Sequence, residues 1–393
     1  MIHMQQSLNN IDWLHGSFAA LEDKPMIPFA DEVIEELDAL SKALMRESMS
    51  RQYPDVITFG FFCRKANLLK LKEQYACTGL RLGLGIVFHI APSNVPVNFA
   101  YSMVAGLLAG NVNVVRVSQK QFPQVDIIVK HMNATKMRRV AVVRYSHDSN
   151  ANEVFSRLCD VRVIWGGDAT IETIRKNTLP ARAFDICFAD RYSIAAIRPK
   201  AILDASDEEI TKLAEHFYND TYLFDQNACS APHLVCWEKS ENMIEAKERF
   251  WNAIYKYAKA HYQFQEVMAV DKLTALYKQA VAMPTRSEET EDNLLCRVKI
   301  DSLPCDIDSF RCAGGYFTEC DIKSLDEIAA IVTNKYQTMA YYGFDRQELE
   351  EFVQRNCLTG LDRIVPLGET TVFSLTWDGM NLIERTSRII DIL

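Results

Sequence analysis

From Asp31 to Ser48 the chain reads DEVIEELDALSKALMRES. Apolar residues recur at helical spacing with charges between them, which predicts an amphipathic helix. RKANLLKLKEQYA (64–76) predicts a second. The texture then changes. RLGLGIVFHIAP (81–92), rich in branched and aromatic residues, predicts a buried strand. SNVPV reads as a loop, NFAYSMVAGLLAG (98–110) as a helix ending at Gly110, and NVNVVRVS (111–118) as another strand. Strand, loop, helix and strand form a βαβ unit, whose ligand edge lies at the carboxyl ends of its strands. The alternation continues with strand RRVAVVRYS (138–146), helix ANEVFSRLC (151–159), strand VRVIWGG (161–167), helix DATIETIRKN (168–177) and an extended run FDICFADRYSIAAI (184–197). The expectation is an open parallel sheet wound with helices, about the size of a dinucleotide-binding domain.

Beyond Pro199 the pattern predicts a polar helix (206–220), a turn carrying Cys229, and a long helix from about Glu241 to Tyr262. TRSEETEDN (285–293) is acidic and turn-like and reads as a surface connection. DEIAAIVTNKY (326–336) predicts a helix and TMAYYGF (338–344) an extended segment, while the tail mixes both signals and ends apolar. No internal repeat or low-complexity tract interrupts the chain. The expected division is 1–200 for a cofactor domain with N-terminal helices and 201–360 for an α/β domain carrying Cys229. Residues 361–393 form a C-terminal segment returning to the first domain or to an oligomer interface.

Composition narrows the function classes. With 393 residues, 48% apolar and 24% charged, the chain has the make-up of a soluble protein of one large or two smaller domains. A net charge of −9 argues against a nucleic-acid partner. No apolar run approaches the roughly 18–20 residues of a membrane span, and the N-terminus lacks the basic start and apolar run of a signal peptide. The 11 cysteines include no C-x-x-C pair, so reduced thiols in the cytoplasm are expected rather than disulfides or structural zinc. The eight histidines show no metal-ligand spacing, and no metal is expected.

Four stretches could carry chemistry. Gly79, Gly83 and Gly85 suggest a dinucleotide fingerprint, but they precede a strand instead of opening a helix, so the reason for that motif is missing. In HIAPSNVPVN (89–98), Asn94 stands on a short bend stiffened by two prolines. There it is either a preorganised oxyanion donor or the cap of the helix beginning near Val97. RVSQKQFP (116–123) ends a strand with Arg116 and offers Ser118, Gln119 and Lys120; the nearest acid, Asp126, lies beyond Pro123. A basic group there suits a 2′-phosphate better than a ribose hydroxyl, favouring NADPH over NADH. WGGD (165–168) is either a phosphate-accepting helix start or an ordinary tight turn. Finally, TYLFDQNACSAPHLVCW (221–237) sets Cys229 among Asp225, Gln226, Asn227 and Ser230. That is a poor setting for a core thiol and a suitable one for a nucleophile.

GIVFHIAPSNVPVNFAYSMVAGLLAGNVNVVRVSQKQFPQV, FDQNACSAPHLV and LDRIVPLGETTVFSLTWDGMNLIERTSRIIDI together resemble the aldehyde dehydrogenase superfamily, and within it the LuxC-type acyl-CoA reductases. The likeness runs from about residue 80 to the C-terminus. It implies an aldehyde dehydrogenase-like α/β fold: a Rossmann-type cofactor domain, an α/β catalytic domain, and a site in the cleft between them. Carried over by motif, Cys229 is the nucleophile and Asn94 the oxyanion donor, with the Cys229 N–H as its partner. Arg116 and Ser118 stand where a Lys-Pro-Ser segment holds the adenosine ribose, and Gly167 and Asp168 match a Gly-Ser turn near the pyrophosphate. Hydrolytic members carry a water-activating Glu where this chain has Phe188, so its acyl-enzyme should resist water. The resemblance implies NADPH-dependent reduction of an acyl thioester, from acyl-CoA or an acyl-protein, to the aldehyde. An acyl-activating or acyl-transferring partner and a homo-oligomer are expected with it. The alternatives are the same chemistry run oxidatively, and a non-catalytic acyl carrier.

Overall fold

A computed structural model describes residues 11–18, 21, 22, 24–75, 78–146 and 148–393. Residues 1–10, where the sequence shows no signal-peptide pattern, and Cys77 lie outside the described residues. The chain divides into two compact units, Met1–Ala189 with Phe373–Leu393, and Asp190–Val372.

The first unit is built on β1 (Asp12–His15), β2 (Leu80–Gly83), β3 (Ile86–Ile90), β4 (Val112–Arg116), β5 (Val140–Arg144), β6 (Val161–Trp165) and β7 (Phe184–Phe188). Its six-stranded sheet has the order β1-β5-β4-β3-β6-β7, with β1 antiparallel at one edge and the rest parallel. The strands are apolar on both faces because helices cover both faces. Helices Asp31–Arg46, Asn98–Leu108 and Pro123–Thr135 bury one side, and Ala151–Leu158 and Asp168–Arg175 the other. The chain winds from β3 outward to β5, then returns to place β6 on the other side of β3. The loops after β3 and β6 therefore flank the switch point where such sheets take ligands.

A polar network runs through this apolar layer. Asn113 Oδ1 can only accept, so His89 Nε2 donates to it at 2.8 Å. Nδ1 then accepts from Ser102 Oγ at 2.7 Å, and Ser102 Oγ accepts from Trp165 Nε1 at 2.9 Å. A Cβ on Gly106 would stand 2.0 Å from Asn113 Oδ1, so only glycine lets its helix approach. Asn111 ties the corner: its Oδ1 accepts from Leu84 N and Gly85 N, and its Nδ2 donates to Thr386 O at 2.8 Å. The C-terminal strand Ser387–Ile390 then pairs antiparallel with β2.

The second unit holds β8 (Tyr192–Ile197), β9 (Pro232–Glu238), β10 (Thr285–Glu289), β11 (Cys296–Ile300), β12 (Tyr316–Ile322), β13 (Tyr336–Tyr342) and β14 (Arg363–Pro366). They form a seven-stranded sheet, β10-β11-β12-β9-β8-β13-β14, in which only β10 is antiparallel. Helix Asp207–Asp220 starts at a capping box: Ser206 Oγ accepts from Glu209 N, and Glu209 Oε2 accepts from Ser206 N at 2.7 Å. With helix Met243–His261 it covers one face, and helix Arg346–Asn356 lies on the other. The buried Glu319 carboxylate is fully occupied by Arg297 Nε (2.7 Å) and by the indole N–H groups of Trp237 and Trp251 (2.8 Å each).

Five expectations change. The run 184–197 is two strands in two sheets, because β7 pairs with β6 whereas β8 pairs with β9 and β13; the chain divides at 189/190 rather than at 200. Likewise the return to the first unit begins at Phe373 rather than 361, since β14 pairs with β13 and Asp220 accepts from Gly368 N and Thr370 N. The acidic stretch at 285 is the edge strand β10, whose Glu288 meets Arg297 and Lys299 of β11. Only Asp326–Ala329 is helical in the predicted helix 326–336, because Lys335 O must accept from Tyr192 N to start β13.

Burial pushes the His89 imidazole down to about 4, so it is neutral in the fold and protonates near 6.5 when the chain unfolds. Its stabilising contribution is complete above pH 6.5 and is lost as pH falls toward 4, costing about 3 kcal/mol. Denaturant titrations between pH 7 and 4.5 should show this slope, and His89→Gln should reduce it by about one proton.

Candidate active site

At the carboxyl edge of the first sheet the structure collects Asn94, Arg116, Ser118, Gly167, Asp168 and Phe188 from the ends of β3, β4, β6 and β7. Asn94 is exposed on the bend before helix Asn98–Leu108. That helix has Val97 at its N-cap position, three residues beyond Asn94, and Val97 makes no side-chain cap hydrogen bond. Asn98, in the first turn, carries a buried amide oxygen without a hydrogen-bond partner.

Arg116 is the last residue of β4 and buried; its guanidinium lies over the Tyr145 ring at 5.2 Å. Arg116 Nε has no hydrogen-bond partner. Arg144 ends the neighbouring β5, one residue beyond Val143, the register partner of Arg116, and sequence reasoning passed it over. Its Nε donates to Ser118 O at 3.2 Å, while one of its terminal nitrogens is buried, lacks a hydrogen-bond partner, and stops 3.9 Å from Asp126. Ser118 Oγ accepts from Lys120 N at 3.1 Å. Thus the edge presents guanidinium donors whose protein partners are incomplete. Gly167 caps helix Asp168–Arg175 without a side-chain hydrogen bond, and a Cβ there would meet nothing within 4 Å. The first turn of that helix carries the Asp168 carboxylate. Phe188 is buried, stacked on Trp165 with ring centroids 3.8 Å apart.

In the second unit Cys229 lies at the amino end of β9. Ala231 N donates to Ala228 O at 2.9 Å, which makes Cys229 and Ser230 the central residues of a β-turn. The turn is pinned from below: Ser193 Oγ donates to Cys229 O at 2.7 Å and itself accepts from Thr338 N at 3.2 Å. Upstream, Asp225 and Gln226 both adopt left-handed backbone, with φ of 52° and 58°. Tyr262 Oη donates to Asp225 Oδ1 at 2.6 Å.

Of the nine other described cysteines, Cys187 and Cys312 are also half-buried and Cys305 and Cys357 are exposed. Cys63, Cys159, Cys236, Cys296 and Cys320 are buried in the cores, and burial pushes their thiols up, to about 12 for Cys159 and Cys296 and about 11 for Cys320. They are packing groups. Cys229 is half-buried on its turn. His233, close to it in sequence, stacks on Tyr192, and burial followed by the nearby Arg311 charge pushes its imidazole down to about 3. It is neutral at physiological pH and serves no proton transfer as a cation. Among the described residues no group of three His, Cys, Asp or Glu could hold a metal ion, and no helix is long and apolar enough to cross a membrane.

The family model for acyl-CoA reductase (LuxC) matches residues 31–389. Among curated proteins no sequence matches the chain. Solved structures give the fold. A 1-pyrroline-5-carboxylate dehydrogenase from Thermus with bound NAD superposes with a TM-score of 0.62 at 13% identity, covering 91% of this chain and 80% of that one. Lactaldehyde dehydrogenase from Escherichia coli gives 0.64 at 11% identity over 91% and 85%. A NAD-dependent benzaldehyde dehydrogenase from Corynebacterium glutamicum gives 0.59 at 11% over 91% and 82%. The fold is that of the aldehyde dehydrogenases.

Ser193 joins the Cys229 turn to β13, and its loss leaves the buried Thr338 N–H without an acceptor. Ser193→Ala should destabilise the protein by about 1–3 kcal/mol, measured by denaturant unfolding.

Proposed function

The chain belongs to the acyl-CoA reductase (LuxC) family, and from that premise we propose that it reduces long-chain fatty acyl-CoA to the aldehyde with NADPH, through an acyl thioester on Cys229. The observation that carries this reading is the Cys229 turn: a half-buried thiol on a β-turn whose carbonyl is held by Ser193. The Cys229 thiolate attacks the thioester carbonyl, and the developing oxyanion takes hydrogen bonds from the Asn94 carboxamide and the Cys229 N–H. Collapse expels CoA as the thiolate and leaves the acyl group on sulfur. When bound, the nicotinamide cofactor supplies the hydride for reduction of that thioester. The resulting thiohemiacetal on Cys229 breaks its C–S bond, releasing aldehyde and restoring the thiolate. Phe188 offers no general base, so water does not compete for the acyl group.

The residues at the sheet edge fit a dinucleotide bearing a 2′-phosphate. Arg116 and Arg144 each have an unfilled N–H group, Arg144 Nε donates to Ser118 O, and the open Gly167–Asp168 helix start suits a pyrophosphate. A solved relative of the same fold is described with bound NAD. A cytoplasmic setting, self-association and a protein that delivers the acyl group complete the proposal.

Incubation with palmitoyl-CoA and no cofactor should load one acyl group on Cys229, seen by mass spectrometry, and Cys229→Ala should abolish it. Asn94→Ala should slow loading by ~10²-fold or more with little change in melting temperature. An adduct on another cysteine, or one hydrolysed as fast as NADPH discharges it, would overturn the reductase reading. For the cofactor, Arg116→Ala should weaken NADPH binding roughly ten- to a hundredfold and NADH much less. Equal losses would remove the phosphate assignment.

A further inference from the structure

Resting on the reading of Cys229 as acyl acceptor, we propose that Gln226 is a positioning residue: its buried carboxamide fixes the turn that aims the Cys229 sulfur and amide at one carbonyl.

Gln226 is almost completely buried, and every hydrogen-bonding valence of its side chain is filled. Oε1 accepts from Gly315 N at 2.7 Å and from Tyr316 N at 3.0 Å. Nε2 donates to Tyr316 O and to Pro232 O, both at 3.1 Å. One planar group thus joins the entry of the turn, its exit at the first residue of β9, and the start of β12. The surrounding backbone is shaped to allow this. Gln226 holds a φ of 58°, where a side chain is disfavoured. Gly315 holds a φ of 90°, and a Cβ on it would stand 2.3 Å from Leu294 O and 2.6 Å from Tyr222 Oη. One disfavoured backbone position and one that only glycine can fill are therefore arranged around a single amide.

The consequence falls on Cys229. Upstream, Gln226 N donates to Thr221 O and Asn227 N to Phe224 O, each at 2.8 Å, while downstream Ser193 holds the Cys229 carbonyl. With both arms fixed, the peptide planes on either side of Cys229 have little freedom. Acylation needs its sulfur to attack, and its N–H to stabilise, the same carbonyl, so a small loss of register is costly. Gln226 touches no substrate in this scheme; it acts through the turn.

A matched control exists in the same unit. Gln279 is also a buried carboxamide near Tyr316, accepting from Tyr316 Oη at 2.8 Å and donating to Thr318 Oγ1 at 3.2 Å. No hydrogen bond of its side chain reaches residues 221–232. The experiment compares Gln226→Met, which keeps length and apolar volume, Gln226→Glu, which keeps the accepting half, and Gln279→Met. Readouts are melting temperature, NADPH affinity, the rate of acyl loading from palmitoyl-CoA, and the pH profile of iodoacetamide alkylation mapped to Cys229. Gln226→Met should slow loading by about ten- to a hundredfold and shift the alkylation midpoint upward, with NADPH affinity within about twofold. Gln226→Glu should show the same defects in weaker form, and it carries the test if the Met variant fails to fold. Gln279→Met should lose similar thermal stability while loading and alkylating like wild type. Loading at the wild-type rate in the Gln226 variants, or slowing in all variants in proportion to melting temperature, overturns the proposal. A wild type that alkylates at Cys229 yet takes no acyl group would remove the acyl-acceptor reading instead. The alkylation midpoints would still decide whether Gln226 sets the turn.

Discussion

A carboxamide taken out of water must have its donors and acceptors filled, and the turn carrying Cys229 depends on that constraint at Gln226. Left-handed backbone at Asp225 and Gln226 costs about 1–3 kcal/mol for each residue. Each of the four side-chain hydrogen bonds of Gln226 returns about 0.5–1.5 kcal/mol net, and any one left unmade costs about 1–3 kcal/mol. The two sums are comparable, so the turn is held because breaking it strands buried polar groups, not because its backbone is comfortable.

The same physics fixes the edge of the first sheet. Ser102 and Asn113 each use His89 as a partner, and Trp165, at the end of β6, donates into the chain of bonds. The helix that follows the Asn94 loop is thereby locked to β3, β4 and β6 rather than merely packed on them. Preorganisation of that kind lets a donor act without rearranging as charge develops. The imidazole of His89 is neutral and fully engaged, so it is a structural strut beside the loop.

Much of this was legible along the chain. The βαβ alternation from Ile86 to Phe188 declares itself through branched runs and intervening helical periods, and Cys229 stands out by its polar setting. Other features are written in pairings between distant strands. Gln226 looks like a loop residue until Gly315 and Tyr316, 89 and 90 positions later, come to meet it. Arg144 looks like a solvated strand end until β5 aligns beside β4, with Val143 opposite Arg116, and its side chain reaches Ser118 O and Asp126. The acidic edge strand β10 imitates a loop because edge strands carry charge to discourage further pairing. The segment at 326–336 has helical periodicity, but the sheet claims its last residue for β13.

Charge at the sheet edge gives the remaining step. The chain carries a net charge of −9, so carboxylates are abundant. Yet at the ends of β4 and β5 two guanidinium groups keep buried N–H donors unfilled, and Asp126 stops 3.9 Å short of one of them. A cation–π contact with Tyr145 offsets part of the cost for Arg116, but a ring face does not satisfy an N–H directed elsewhere. A buried unmet donor on a charged group costs more than a neutral one. Such an arrangement is sensible for a site whose missing partner arrives from solution, and a phosphate ester supplies the acceptors and the charge together. The proposed preference for a 2′-phosphorylated cofactor therefore rests on an unfilled valence at a defined strand edge, and not on a count of basic residues.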